Sequence, residues 1–327
     1  MILAGDVGGT KCNLALFAEK NGKLLPVFGK RFPSKDYAQF DALVLDFSKL
    51  AAPYTASGRI ESAGFGVAGP VVHNRVKATN LPWIVDGADL ARKLGLPQVV
   101  LLNDLGATAY SLEHLPPEDF CVLNRGKAQP EAARAIIAAG TGLGEAILFW
   151  DGARYRPAPS EGGHSDFAPR TEQQIELLRF LLRKVPQVSW EIILSGRGFR
   201  TIHEFLDLSV QHPSFSVPGG DAAPEITSMG LKKSCPVCEA TLDLWVSIYG
   251  AEASNLALKV LSLGGLYVAG GIAAKIIDKM KDGAFLRNFF DKWMFDGLLK
   301  NIPVSVVLNE NAPLLGAAYE ALAAIRR

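Results

Sequence analysis

The chain has 327 residues, 49% of them apolar, and 34 Lys and Arg balance 33 Asp and Glu to a formal net charge of +1. That length allows two domains, each with its own core, and that composition excludes disorder as the main state. Well-mixed charge offers nucleic acid no basic face, there is no long uncharged apolar run for a membrane span, and "MILAGDVGGT" has no charged-then-apolar leader, so a soluble cytoplasmic protein is expected.

In chain order, "ILAG" and "CNLALF" read as short strands joined by the glycine turn "DVGGTK". Tyr37, Phe40, Leu43, Val44, Phe47, Leu50 and Ala51 recur at helical spacing and predict an amphipathic helix over 36–52. A buried strand "SAGFGV", a short helix "DLARKLGL" and a strand "PQVVLL" running into Asn103 and Asp104 follow, and then a helix "LGATAYSLEHL". A second set starts near residue 118, with strands "FCVLN", "RAIIAAG" and "EAILFW", a helix over 171–184 and a long buried helix over 239–263. "GGLYVAGGIAAK" reads as strand, glycine turn and helix; "PVSVVL" is a last strand, and Asn311 is placed to cap a last helix with Pro313 in its first turn. "QHPSFSVPGGDAAPEITS" reads as an internal surface loop. Strands alternating with helices indicate an α/β layer architecture.

Cys235 and Cys238 have the C-x2-C spacing of a zinc half-site, but His203 and His212, nine positions apart, look a poor complement. Two reduced thiols at the start of a helix is the expectation. The stretch "PSEGGHSDFAPR" gathers Glu161, His164 and Asp166. Its two glycines disfavour a helix, each costing about 1 kcal/mol relative to alanine. Read by itself this loop suits a metal site, an acid/base pair or a merely polar turn.

The glycine turns carry more. "GDVGGTK" lacks a glycine of the P-loop pattern where Thr10 stands, and no helix follows it. "GFGVAG" matches G-x-G-x-x-G, yet Pro70 and the β-branched run after it cannot open the required helix. "LAGDVGGTKCNLALF" and "IAAGTGLGEAILFW" share one plan, strand, small-residue turn and strand, which suggests a duplicated fold with a ligand between its halves. Such turns present successive N–H groups to phosphate oxygens. Gly5, Asp6, Val7, Gly8, Gly9 and Thr10 form one candidate nucleotide turn, and Gly140, Thr141 and Gly142 a second. Asp6 can hold a hydrated Mg2+ beside the phosphates, and Gly270 with Gly271 offers a flat surface for adenine and ribose.

Those turns, in that order, resemble the phosphate and adenosine motifs of the sugar kinase, actin and heat-shock-chaperone ATPase superfamily. Within it, "GDVGGT", "NDLGATA", "AAGTGLG", "SEGGHSDFAP", "EIILSGRG", "VAGGI" and "NAPLLGAA" resemble the bacterial glucokinases from end to end. The resemblance implies a two-domain actin-like ATPase (ribonuclease H-like) fold with a duplicated core and an interdomain cleft. It gives a small domain of 1–112 plus 303–327 and a large one of 113–302. It also implies ATP with Mg2+, a homodimer, and phosphorylation of the glucose 6-hydroxyl to glucose 6-phosphate. Asn103, Asp104, Glu161, His164 and Glu191 are then the sugar ligands, and Asp104 is the general base. Asp166 is expected only to cap the turn or bond the loop backbone. Three positions depart from the family pattern: Lys11 for a common asparagine, Ala138 for a glycine, and Glu145 for a small or apolar residue. The alternatives are a kinase for mannose, fructose or an N-acetyl amino sugar, and a sugar-independent actin-like ATPase. A sugar-responsive repressor is disfavoured because no helix-turn-helix precedes the first strand.

Overall fold

In the computed structural model, which describes residues 1–55, 58–79, 81–217 and 219–326, the chain divides into two compact units. One comprises Met1–Pro117 with Asn309–Arg327, and the other Glu118–Leu308. The strands of the smaller unit are β1 (Ile2–Val7), β2 (Lys11–Lys20), β3 (Lys23–Pro33), β4 (Ser62–Val67), β5 (Val71–Val72), β6 (Arg75–Lys77), β7 (Ile84–Asp86) and β8 (Val99–Asn103). Five of them form a sheet in the order β3-β2-β1-β4-β8, and β5 to β7 form a small sheet of their own. β1 to β3 are an antiparallel meander, while β4 and β8 run parallel to β1.

Side chains alternate across a strand, so β1 feeds two cores. Leu3 and Val7 pack with Phe40, Leu43, Val44 and Phe47 of the Phe40–Ala51 helix. Ile2 and Ala4 pack on the other face with Leu314, Ala317, Ala318 and Ala321 of the Ala312–Ala324 helix. The small residues of "NAPLLGAA" allow that helix to lie close. A Cβ on Gly316 would collide with the Ala107 carbonyl, and one on Gly64 with the carbonyl of Ala317. Asn311 does stand at the N-cap position, but its side chain makes no cap bond; Asn309 Oδ1 instead accepts from the Asn311 N–H at 2.8 Å.

The larger unit contains β9 (Phe120–Asn124), β10 (Arg134–Ala139), β11 (Leu143–Trp150), β12 (Tyr155–Ser160), β13 (Gly265–Ala269) and β14 (Val304–Val307). Their order is β12-β11-β10-β13-β14-β9. β10, β11 and β12 are again an antiparallel meander, and β13 and β14 again continue parallel to its first strand. The two sheets therefore repeat one plan, with β9 added antiparallel at an edge. The long Pro236–Val260 helix buries Trp245, Tyr249 and Ala253 against this sheet's core.

One expectation is corrected here. The strand 304–307, assigned from sequence to the small domain, hydrogen-bonds with β13 and β9 and so belongs to the larger unit. The division falls after Leu308, not after residue 302, and the first segment extends to Pro117 instead of 112. The stretch 211–228 is not all loop. It contains a 3-10 turn, Pro213–Ser216, and the start of the Ala223–Leu231 helix, while its Pro218 lies outside the described residues.

Candidate active site

In the smaller unit the carboxyl ends of β1, β4 and β8 lie side by side, with Asp6 in register with Gly66 and Val67 with Asn103. Such an edge is where open α/β sheets collect ligand-binding groups. Asn103 ends β8 and caps the Asp104–Ser111 helix, its Oδ1 accepting from the Gly106 N–H at 2.6 Å. Capping therefore falls to Asn103. Asp104 begins the helix, with Oδ1 accepting from the Leu105 N–H at 2.9 Å. The helix sits close to the sheet because a Cβ on Gly66 would be only 2.9 Å from that of Ala107.

Asp104 remains accessible to water, yet the protein crowding its other sides desolvates the carboxyl and raises its pKa. Asp6 is half-buried and its pKa is pushed up to about 6, first by burial. The Asn13 amide, 3.3 Å from Oδ2, opposes that rise, and the charge of Asp104 adds to it. Lys11 and Arg31 pull the other way, and Arg31 also donates to Asn13 at 2.9 Å. Lys11 is exposed, so its field on Asp6 is what its position supplies.

Beyond Asp6 the first turn is closed by the Gly8 N–H donating to the Lys11 carbonyl at 3.0 Å. The buried Ser34 hydroxyl donates to the Gly8 carbonyl at 2.7 Å and holds the turn from below. Gly9 and Thr10 are exposed at its tip. Gly5 leaves room for the Phe65 ring, and the Val7 side chain is buried in the core.

The larger unit repeats this arrangement. Gly140, Thr141 and Gly142 follow β10, with the Gly140 N–H donating to the Gly142 carbonyl at 2.8 Å and Thr141 exposed. The Gly140 carbonyl accepts from the Gly196 N–H at 2.9 Å, and the Tyr249 hydroxyl bonds both the Ala139 N–H and the Ile137 carbonyl at 3.3 Å. The turn is thus fixed from two helices. Gly270 follows the neighbouring parallel strand at φ +85°, where a Cβ would strike the Ala139 carbonyl; only glycine fits. Gly271 beside it is open and exposed.

The Glu161 to Asp166 loop lies directly on β11. Gly162–His164 is one 3-10 turn, and side chains at Gly162 and Gly163 would collide with the Glu145 carboxylate and the Leu143 carbonyl. The loop then pairs with 188–190, through the Phe167 N–H to Val188 at 2.8 Å and the Trp190 N–H to Ser165 at 3.1 Å. This pairing brings Glu191 to the loop. His164 Nε2 is 3.8 Å from Glu161 Oε2, and its Nδ1 is 4.0 Å from Glu191 Oε1. Glu191 Oε2 also accepts from the Leu143 N–H at 3.0 Å and closes over Gly142. One carboxylate therefore links the acid/histidine set to the second glycine turn. Asp166 is engaged elsewhere, accepting from the Gln187 amide at 2.7 Å.

The structure gathers Asp6, Asn103 and Asp104 at one sheet edge, and Glu161, His164 and Glu191 around one loop. The supports missed in the sequence are Ser34, Tyr249 and the backbone of Leu143. Each acts across a long sequence separation, so no local pattern signals it. Glu145, unexplained as a sequence departure, lies on β11 beneath the loop, with Glu252 of the Pro236–Val260 helix as its buried neighbour.

Residues 3–324 match the sequence profile of the glucokinase family. The glucokinase of Nostoc sp. is 40% identical over 97% of this chain and 98% of its own length. Among solved structures, a glucokinase from an Antarctic psychrotroph superposes with a TM-score of 0.86 at 28% identity, covering 98% of both chains. A ROK-family glucokinase from Streptomyces griseus, solved with glucose and AMPPNP, shares the fold at a TM-score of 0.65 and 21% identity, over 98% of this chain and 99% of its own. With a family-profile match over residues 3–324 and a relative 40% identical nearly end to end, the chain belongs to the glucokinase family.

Proposed function

We propose that the protein transfers the γ-phosphoryl group of ATP to the 6-hydroxyl of glucose, giving glucose 6-phosphate and ADP. The observation that carries this reading is the Glu161, His164 and Glu191 set, three polar side chains within about one hydrogen-bonded water of each other and tied by Glu191 to the Gly142 turn. A sugar needs several fixed donors and acceptors, and a carboxylate, imidazole, carboxylate row provides them. The family resemblance assigns the remaining sugar contacts to Asn103 and Asp104.

In this mechanism the glucose O6 forms a bond to the γ-phosphorus as the bond to the β–γ bridging oxygen breaks. Asp104 takes the proton from O6, and ADP leaves. The raised pKa of Asp104 makes its carboxylate a stronger proton acceptor than an ordinary aspartate, as a general base requires. The exposed tips at Gly9–Thr10 and Thr141 offer N–H and hydroxyl donors to phosphate oxygens, and Gly270–Gly271 a flat surface for adenosine. Asp6, its pKa raised by burial and by the charge of Asp104, is an oxygen donor that a divalent cation would relieve. It fits Mg2+ held through water, which would neutralise phosphate charge during transfer.

We read the two repeated sheets as the halves of an actin-like ATPase fold. The same reading includes a cytoplasmic homodimer; among the described residues no helix is long and apolar enough to cross a membrane. Light scattering tests the dimer. The activity is tested by ADP formation from Mg-ATP with glucose, mannose, fructose or N-acetylglucosamine. Strong stimulation by glucose supports the reading. Stimulation by another sugar alone keeps the mechanism and moves the specificity, and ADP release indifferent to every sugar overturns it.

A further inference from the structure

Away from the sugar loop, the larger unit brings four side chains together that the sequence scatters over 36 positions. His203 is in the last turn of the Gly196–Leu206 helix, His212 is in the connection that follows, and Cys235 and Cys238 are at the start of the Pro236–Val260 helix. One ligand atom from each lies within 4.8 Å of all the others, and all four residues are buried. His212 Nε2 is 3.2 Å from Cys238 Sγ and 3.8 Å from Cys235 Sγ. In a tetrahedral site with Zn–N of about 2.0 Å and Zn–S of about 2.3 Å, neighbouring ligand atoms stand roughly 3.3–3.8 Å apart. The spacing judged a poor complement in the sequence is therefore closed by the fold: the two thiols are free and begin a helix, as expected, and the histidines are seated against them.

The geometry points to a structural Zn2+ site made by His203, His212, Cys235 and Cys238. The histidines argue for it most strongly. Both ring nitrogens of His203 are buried with no hydrogen-bond partner, an arrangement that protein interiors rarely tolerate. A metal on one nitrogen removes half of that deficit. A Cys235–Cys238 disulfide would leave both imidazoles unserved, and all four cysteines of the chain are free. Two thiolates balance the ion's charge, so the filled site is neutral in an interior where Phe215 stacks edge-on against both histidine rings. Soft sulfur and imidazole donors in a closed set of four select Zn2+ over Mg2+ or Ca2+.

On binding, the two thiols release their protons to solvent and no electron is transferred. The ion would fasten the 207–222 connection to two helices. It sits about 10 Å along the Gly196–Leu206 helix from Gly196, whose N–H holds the Gly140 turn. The role is structural and does not depend on which sugar is the substrate.

The test is metal analysis of the untagged, full-length protein purified without chelator, with cobalt as the spectroscopic probe. The site predicts close to one zinc per chain. After chelator treatment and addition of Co2+, it also predicts visible tetrahedral d–d bands and a near-ultraviolet thiolate-to-cobalt band. Cys238→Ser and His203→Gln should lose both the zinc and these bands, while wild-type metal content reads the site independently of how those variants fold. Zinc far below one per chain together with no cobalt bands overturns the proposal. So does an intact mass two hydrogens low that maps to a Cys235–Cys238 disulfide in freshly purified protein.

Discussion

The two hairpins, β1–β2 and β10–β11, have the same connection and the same strand neighbours, yet each carries its acid in a different place. In the first, Asp6 stands at the mouth of the sheet opposite Asn13, and the buried position after it on β2 is Leu14. In the second, the position matching Asp6 is Ala138, opposite Gly144, and the buried position matching Leu14 is Glu145. One step along the pleat decides the outcome. Asp6 is half-accessible and served by Asn13, Lys11 and Arg31. Glu145 is sealed beneath the sugar loop against a second carboxyl, Glu252. The duplicated scaffold thus repeats its glycine turn, but among the described residues only the first hairpin carries an acid of its own strands at the mouth of its sheet.

If that division is correct, the largest effects come from the first half. Asp104→Asn should fold and still bind glucose, and its kcat should fall by about 10²–10⁴-fold, the range of a positioned base. Near-normal turnover would remove Asp104 from the reaction. The pH profile sharpens the same point. The fold raises the pKa of both Asp6 and Asp104, so their carboxylates are lost on acidification at a higher pH than ordinary aspartates. Wild-type kcat/KM should therefore decline as pH falls through about 6, the value for Asp6. A flat profile from pH 7 down to about 4.5, below any raised carboxylate, would contradict that assignment. Asp6→Asn should cost about 10–100-fold in activity, the scale for a group acting on a metal through water, and should raise the Mg2+ concentration needed for half-activity. An unchanged Mg2+ dependence would leave Asp6 as a packing residue.

Much of this comparison is legible in the sequence and some of it is not. The two glycine turns and their flanking strands show because strand periodicity and turn chemistry are local. β3 and β12 escape because they lie at sheet edges, with an irregular apolar pattern that includes prolines. β14 reads as a strand, but nothing local says which sheet it joins; its partners β13 and β9 decide that. The grouping of Glu161, His164 and Glu191 is legible only through the motif, since Glu161 and Glu191 are brought together by the pairing of 165–167 with 188–190. The zinc quartet is hidden for the same reason, as a helix, a connection and a second helix must fold before its spacing exists.

In the second half the expected effects are on binding before turnover. Glu161→Gln removes a charged acceptor from a sugar hydroxyl and should raise the glucose KM by about 10–100-fold, with a smaller change in kcat. Steady-state kinetics over a wide glucose range checks this. An equal loss in kcat alone would mean that Glu161 acts in the transition state and that the binding role is misassigned.

The smallest and most specific effect concerns Glu145 itself. Burial raises the pKa of both Glu145 and Glu252, and that of Glu252 reaches about 8, with Asn255 donating at 2.7 Å and Lys259 3.6 Å away only partly offsetting the desolvation. The folded protein thus holds a proton that the unfolded chain releases near 4.5, the ordinary glutamate value. By linkage, the pair's contribution to stability is full below that value and is lost as pH rises through about 8. Glu145→Gln removes one charge while keeping the shape that Gly162 rests on. It should leave stability at pH 5 nearly unchanged and raise it at pH 8–9 by on the order of 1 kcal/mol, about one unit of relieved shift. Denaturant unfolding at the two pH values measures the difference. If wild type and variant lose stability in parallel as pH rises, the shared proton is not in this pair, and the acid on β11 has a function in the second hairpin other than the burial that separates it from Asp6.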